Sequence, residues 1–103
     1  MLLEERTVSR KTPLDGRLEI SAAAAGRLAA LGDEFALVSA GRAGRGRLRT
    51  MACTCAKGAG GSHVHHFVES SLLAQLTPGT AVRVELDELG PAVRIEPAEG
   101  PAA

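Results

Sequence analysis

Polar and apolar positions alternate most regularly near the end of the chain. Val82, Val84 and Leu86 alternate with Arg83, Glu85 and Asp87, and Val93 and Ile95 alternate with Arg94 and Glu96. A period of two marks a half-buried strand. Folding the two segments about residues 88–91 sets Glu85 opposite Arg94 and Arg83 opposite Glu96, with apolar residues opposite one another in the same register. This predicts an antiparallel hairpin over Arg83–Asp87 and Ala92–Glu96.

The rest of the chain reads as short elements. Arg17–Ile20 is a strand, and Ser21 caps a helix over Ala22–Leu31 that turns Ala24, Leu28 and Leu31 to one side and stops at Gly32. Gly26 weakens that helix by about 1 kcal/mol relative to Ala, so packing must hold it. Phe35–Ala40 is a buried strand, GRAGRG a turn, and Arg47–Cys55 a second strand. The glycine-rich AKGAGGS forms a tip, and His63–Val68 returns as a strand. Ser70 or Ser71 opens a short helix with Leu72, Leu73 and Leu76, stopped by Pro78-Gly79. Residues 1–16, polar and carrying Pro13 and Gly16, read as an N-terminal arm or irregular edge; 17–98 form a single β-rich domain, and 99–103 a frayed tail. The expected fold is mainly β, a small antiparallel barrel or pseudobarrel with two short helices at its ends.

Composition narrows the class of function. A chain of 103 residues is one domain, burying roughly 65% of its unfolded surface. Its core is thin, with no Trp or Tyr and only Phe35 and Phe67 as aromatics. Twelve basic and twelve acidic residues cancel, so overall charge demands neither nucleic acid nor an anionic membrane. No apolar run approaches the ~18 residues of a membrane span, and MLLEERT carries acids where a secretory signal has Lys or Arg. A cytoplasmic protein without a membrane partner is expected. P-loop, dinucleotide and Ser-His-Asp patterns are absent from the sequence, so non-enzymatic roles come first.

Chemistry concentrates in CTCAKGAGGSHVHH, which holds both cysteines and all three histidines. On an extended strand the Cys53 and Cys55 Cα atoms lie about 6.8 Å apart, at the limit for a disulfide, which favours reduced thiols and a metal role. Pairing the strands around the glycine tip sets Cys55 opposite His63, Cys53 opposite His65, Met51 opposite Phe67 and Arg49 opposite Glu69. Cys53, Cys55, His63 and His65 then share a face, because side chains alternate along strands. Two thiolates and two imidazoles suit tetrahedral Zn²⁺, with a twist or bulge bringing the short cysteines together. Four protein ligands make the site structural, and apparent binding of roughly 10–16 kcal/mol rivals a domain's stability. The plainer alternative is a pair of buried thiols beside a solvated histidine-rich loop, and a redox pair of cysteines is a third. His66 points to the opposite face of a regular strand; a bulge would exchange it with His65, and Glu69 is a further candidate ligand.

Two resemblances bear on function. Through His63, His65 and Glu69 the segment reads H-x-H-x₃-E, which resembles the first metal-binding motif of cupins. That resemblance implies those three residues as ligands on a double-stranded barrel, and a mononuclear metal enzyme in which Glu69 is the carboxylate beside a metal-bound water. The stretches RLEISAAAAGRLAALGDEFALV and HHFVESSLLAQLTPGTAVRVELDE are similar in outline to the plant-type DNA-recognition pseudobarrel, a fold shared with recognition domains of some restriction endonucleases. There, loops between strands contact DNA, which implies that Arg42, Arg45 and Arg47 lie near a phosphate backbone.

The charge pattern supplies its own argument. Arg42, Arg45, Arg47, Arg49 and Lys57 fall between Phe35 and Val68 with no acid among them. Arg45, Arg47 and Arg49 share a strand face, as a ribbon lying along duplex DNA or another polyanion would require. A solvated edge that blocks strand-to-strand aggregation accounts for the same stripe. Three functions therefore stay open. They are a zinc-binding β-barrel module for duplex DNA, a zinc-stabilised accessory subunit with a protein partner, and a mononuclear metal enzyme of cupin-like type.

Overall fold

The computed structural model describes residues 1–52 and 64–98. Among them, seven strands form one sheet that curls into a nearly closed barrel. They are β1 (Leu2–Thr7), β2 (Arg17–Ile20), β3 (Glu34–Ser39), β4 (Arg42–Ala52), β5 (Val64–Glu69), β6 (Ala81–Asp87) and β7 (Ala92–Pro97). Their order is β1-β6-β7-β3-β4-β5-β2. All neighbours are antiparallel except β3 and β7, whose parallel pairing joins two antiparallel sheets into one. Strands β1 and β2 are the two free edges, and the barrel is open along the seam between them.

The expected fold class holds. The C-terminal hairpin has the register read from its charges: Arg83 pairs with Glu96, Val84 with Ile95, Glu85 with Arg94 and Leu86 with Val93. Val82, Val84, Leu86, Val93 and Ile95 are buried, and each such side chain contributes about 1.5–3 kcal/mol. The two expected short helices are α2 (Ala22–Ala29) and a 3₁₀-helix (Ser71–Gln75); a single-turn α1 (Thr12–Asp15), opened by Pro13 and closed by Gly16, precedes them inside the segment read as an arm or irregular edge. Ser21 Oγ accepts from the Ala24 N–H at 3.1 Å, capping α2, and Ala24, Ala25 and Leu28 are buried. The helix ends two residues before Leu31 because its last turn tightens: the Ala30, Leu31 and Gly32 N–H groups donate to carbonyls three residues back. Ser70 caps the 3₁₀-helix, its Oγ accepting from the Leu72 N–H and donating to the Arg45 carbonyl at 2.7 Å.

Three expectations need correction. Of the two readings of residues 1–16 the irregular edge fits and the arm does not: Leu2–Thr7 pairs with β6 as an edge strand with a bulge, Val8 and Thr12 are buried, and Gly16 closes α1. Gly16 has φ +70°, and a Cβ there would lie 2.9 Å from the Ser70 carbonyl oxygen, so only glycine fits. Only the first residue of GRAGRG is turn; from Arg42 on it is strand. The turn lies at Ala40-Gly41, both with positive φ, as a two-residue hairpin with right-handed strand twist requires. Gly44 and Gly46 sit opposite Leu37 and Phe35, and a Cβ on Gly46 would stand 2.9 Å from Phe35 Cε1. These glycines make room for large neighbours instead of bending the chain.

The third correction is the β4–β5 register. Met51 pairs with His65, Arg49 with Phe67 and Arg47 with Glu69, a slip of two residues from the expected ladder. A slip of two leaves every side chain on its expected face, so apolar alternation alone does not detect it.

Candidate metal centre and the seam groove

Strand β5 carries His65, Phe67 and Glu69 on the outer face of the barrel, while Val68 is buried in the core. The His65 Nδ1 lies 2.6 Å from Glu19 Oε2, a carboxylate on neighbouring β2. A carboxylate can only accept, so Nδ1 carries a proton in this contact. Carboxylate–imidazole pairs of this kind orient metal-ligating histidines and raise their basicity. The rings of His65 and Phe67 are 6.3 Å apart and tilted by 35°, so Phe67 walls one side of the imidazole.

Cys53, Cys55 and His63 lie outside the described residues, so the proposed ligand quartet enters the structure through His65 alone. Among the described residues no group of three or more Cys, His, Asp or Glu side chains converges. His66 is on the opposite face from His65, its Nδ1 3.4 Å from Thr50 Oγ1.

Glu69 is occupied elsewhere. Arg17 Nε donates to Glu69 Oε2 at 2.8 Å, and Arg49 Nε approaches the same oxygen at 3.9 Å. The Arg17 hydrogen bond holds the Glu69 carboxyl below the usual carboxylate range against the opposing effect of burial, assisted by the charges of Arg49, Arg17 and Arg47. Along a regular strand Glu69 is also about 13 Å from His65, too far for both to ligate one ion. Of the three residues that the cupin resemblance implies, His65 and Glu69 therefore do not converge, and His63 lies outside the described residues.

The arginine stripe is one-faced, as expected, but it is interleaved with acids. The register aligns Arg17, Glu69, Arg47 and Glu34 across β2, β5, β4 and β3, alternating in sign from strand to strand. Arg45 Nη2 lies 3.6 Å from Glu34 Oε1. Glu34 and Glu69 immediately flank the window that looked free of acids, and strand pairing folds them back beside it. Arg42, exposed at the start of β4, and Arg47 have no carboxylate within 4.0 Å among the described residues.

Beside His65 runs a groove of about 640 Å³ that reaches from the β1–β2 seam onto β5 and β4. Arg6, Arg10, Lys11 and Arg17 line it with Asp15 and Glu19, over Leu18, Met51 and Phe67. Sequence reasoning missed this site because residues 6–15 of its lining were read as an arm or irregular edge and the rest belong to separate strands. The available signal was the alternation of Arg17 and Glu19 with buried Leu18 and Ile20, which marks both charged side chains as one exposed face. No protein-family model matches the chain, and no match to a curated protein was found.

Proposed function

We propose that the chain is a small zinc-binding β-barrel that serves as a binding module for a protein partner, with Zn²⁺ held by Cys53, Cys55, His63 and His65. The observation that carries the metal part is the Glu19–His65 contact at 2.6 Å, the support a ligating imidazole needs from outside the metal's immediate ligands. The remaining ligands are read from the sequence, where both cysteines and His63 adjoin the same two strands. Two thiolates and two imidazoles fill a tetrahedral site, so the ion acts as a staple for a domain with few large core side chains.

The acids threaded through the arginine stripe favour a protein partner over duplex DNA. A phosphate backbone laid on that face meets Glu34 and Glu69 as well as the arginines, and must break the Arg45–Glu34 and Arg49–Glu69 pairs to gain contacts. The DNA reading retains Arg42 and Arg47.

Elemental analysis of purified protein tests the proposal, with about one zinc per chain expected. Cys53→Ser or Cys55→Ser should remove the metal and lower the melting temperature. Folded, metal-free protein whose melting is unchanged by chelator would sink the zinc reading. Tight, salt-dependent retention on duplex DNA, abolished when Arg42 and Arg47 become Gln, would replace the protein partner with DNA.

A further inference from the structure

The two phenylalanines of the chain lie on opposite faces of the sheet: Phe35 is in the core, and Phe67 is half-buried on the outer face. Phe67 is therefore aromatic surface that the core does not use. The β2–β5 ladder sets it directly opposite Glu19, and Arg17 stands two residues away on the same face of β2. Ring, carboxylate and guanidinium all line the 640 Å³ groove, whose volume falls in the range of about 300–1,000 Å³ typical of small-ligand sites.

Both polar groups are held in place by the protein itself. Arg17 Nε donates to Glu69 Oε2 at 2.8 Å and Arg17 Nη1 reaches Met51 Sδ at 3.6 Å, while Glu19 Oε2 meets His65 Nδ1 at 2.6 Å. A guanidinium carries more donors, and a carboxylate more acceptor positions, than these contacts use. Residues two apart on a strand are spaced by about 6.8 Å, so one ligand can take a donor from Arg17 and an acceptor from Glu19. Charge in the groove selects no ion. Arg6 is matched by Glu4 at 3.8 Å and Arg17 by Glu69, which leaves Arg10 and Lys11 against Asp15 and Glu19. The lining is thus neutral in sum but dense in donors and acceptors, the Thr7 and Ser9 hydroxyls among them. A hydroxyl group suits both signs, since it donates to a carboxylate and accepts from a guanidinium. A pyranose ring adds a face of C–H groups, whose slight positive charge is drawn to the negative face of an aromatic ring.

We propose that the groove on the outer face of β2 and β5 binds a neutral oligosaccharide, with one pyranose ring stacked on Phe67 and its hydroxyl groups shared between Arg17 and Glu19. This goes beyond the protein-partner reading and requires neither that partner nor zinc. An anionic glycan fits less well, because Asp15 and Glu19 face its charge as directly as Arg10 and Lys11 do.

A glycan array carrying neutral, sialylated and sulfated glycans, probed with the labelled full-length chain, tests this. Retention of neutral glycans is expected, equal at low and high salt because no net charge drives it. The best-retained neutral glycan, titrated into isotope-labelled protein, should shift the amide signals of Arg17, Glu19 and Phe67 and leave those of Arg42 and Arg45 in place. Phe67→Leu keeps an apolar side chain without the flat face and should bind that glycan roughly tenfold more weakly, whereas Phe67→Tyr should bind it like the parent chain. Where Phe67→Leu fails to fold, the shift map on the parent chain decides. Retention of no glycan, preference for sulfated or sialylated glycans, or loss of binding at high salt would each overturn the site. So would shifts confined to Arg42–Arg47, undiminished affinity in folded Phe67→Leu, or tighter binding of adenosine than of any glycan.

Discussion

In the β6–β7 hairpin each cross-strand pair carries its own constraint, whereas in the β4–β5 hairpin the constraints come from the strands on either side. Between β6 and β7 the buried pairs Val84–Ile95 and Leu86–Val93 alternate with Arg83–Glu96 and Glu85–Arg94. Asp87 Oδ1 fixes the turn by accepting from the Leu89 and Gly90 N–H groups at 3.1 and 3.4 Å. A slip of two residues would set Glu85 opposite Glu96 or Arg83 opposite Arg94, so like charges penalise the wrong register. The charges need not bridge to do so. Arg83 reaches Glu5 on β1 at 3.5 Å, and Glu96 accepts from the Ala40 N–H at 3.0 Å.

Strands β4 and β5 lack that internal code. The expected ladder matched Met51 with Phe67 and Arg49 with Glu69, and the observed ladder matches Arg47 with Glu69, so both registers contain an opposite-charge pair. The decision falls to the neighbours. On one side β3 needs Gly46 under Phe35 and Gly44 opposite Leu37; on the other, β2 brings Arg17 to Glu69. An interior strand has its register set from both flanks, and those partners are distant in sequence.

The largest effect expected is on the self-specified hairpin. Ile95 is fully buried, and Ile95→Ala should cost about 2–5 kcal/mol in urea unfolding. A cost below about 1 kcal/mol would mean that the hairpin is peripheral to the core. Next comes the β3–β4 match. Gly46→Ala places a methyl 2.9 Å from the Phe35 ring and should cost about 1–3 kcal/mol, whereas Gly26→Ala on α2, with nothing within 4 Å, should stabilise by about 1 kcal/mol. If Gly46→Ala proves neutral, that glycine does not set the register.

A pH titration of stability isolates the β2–β5 flank. Because Glu69 has its carboxyl pKa depressed when folded, its contribution is complete above the ordinary carboxylate pKa of about 4.3 and is lost as pH falls through the folded value. Glu69→Gln should flatten the acid limb of the stability profile; an unchanged limb would show that Arg17 and Arg49 give it no support. The smallest effect belongs to the turn. Ala40 has φ 52°, and Ala40→Gly should raise stability by about 0.5 kcal/mol, the relief of left-handed strain less the added chain entropy. A loss of stability would mean that the added chain entropy outweighs the relief of strain at Ala40.

The same contrast explains what could be read before the fold was known. β2, the C-terminal hairpin and the Ser21 cap were legible because their signals are local: alternation, a cap and matched charges within a few residues. β1 was not, because a bulge between Leu2 and Glu4 breaks its alternation and its partner lies at the far end of the chain. The acids beside the arginine stripe were hidden for a related reason, since Glu34 and Glu69 join it only through pairing. At the candidate metal centre the sequence singled out His65, but Glu19, its carboxylate partner, lies 46 residues away and carries no motif. The seam groove is a property of topology, created where the first two strands of the chain become the two edges of one sheet.

X-ray absorption at the zinc K edge of the purified protein tests the central claim most directly. Two sulfur ligands at about 2.3 Å and two imidazole nitrogens at about 2.0 Å are expected, with the spectrum unchanged by anions that would displace a bound water. His65→Ala should remove one nitrogen from that shell, and Glu19→Gln should weaken zinc affinity by about 10–100-fold while leaving the shell the same. A first shell of nitrogen and oxygen without sulfur, or an exchangeable water among the ligands, would contradict the account.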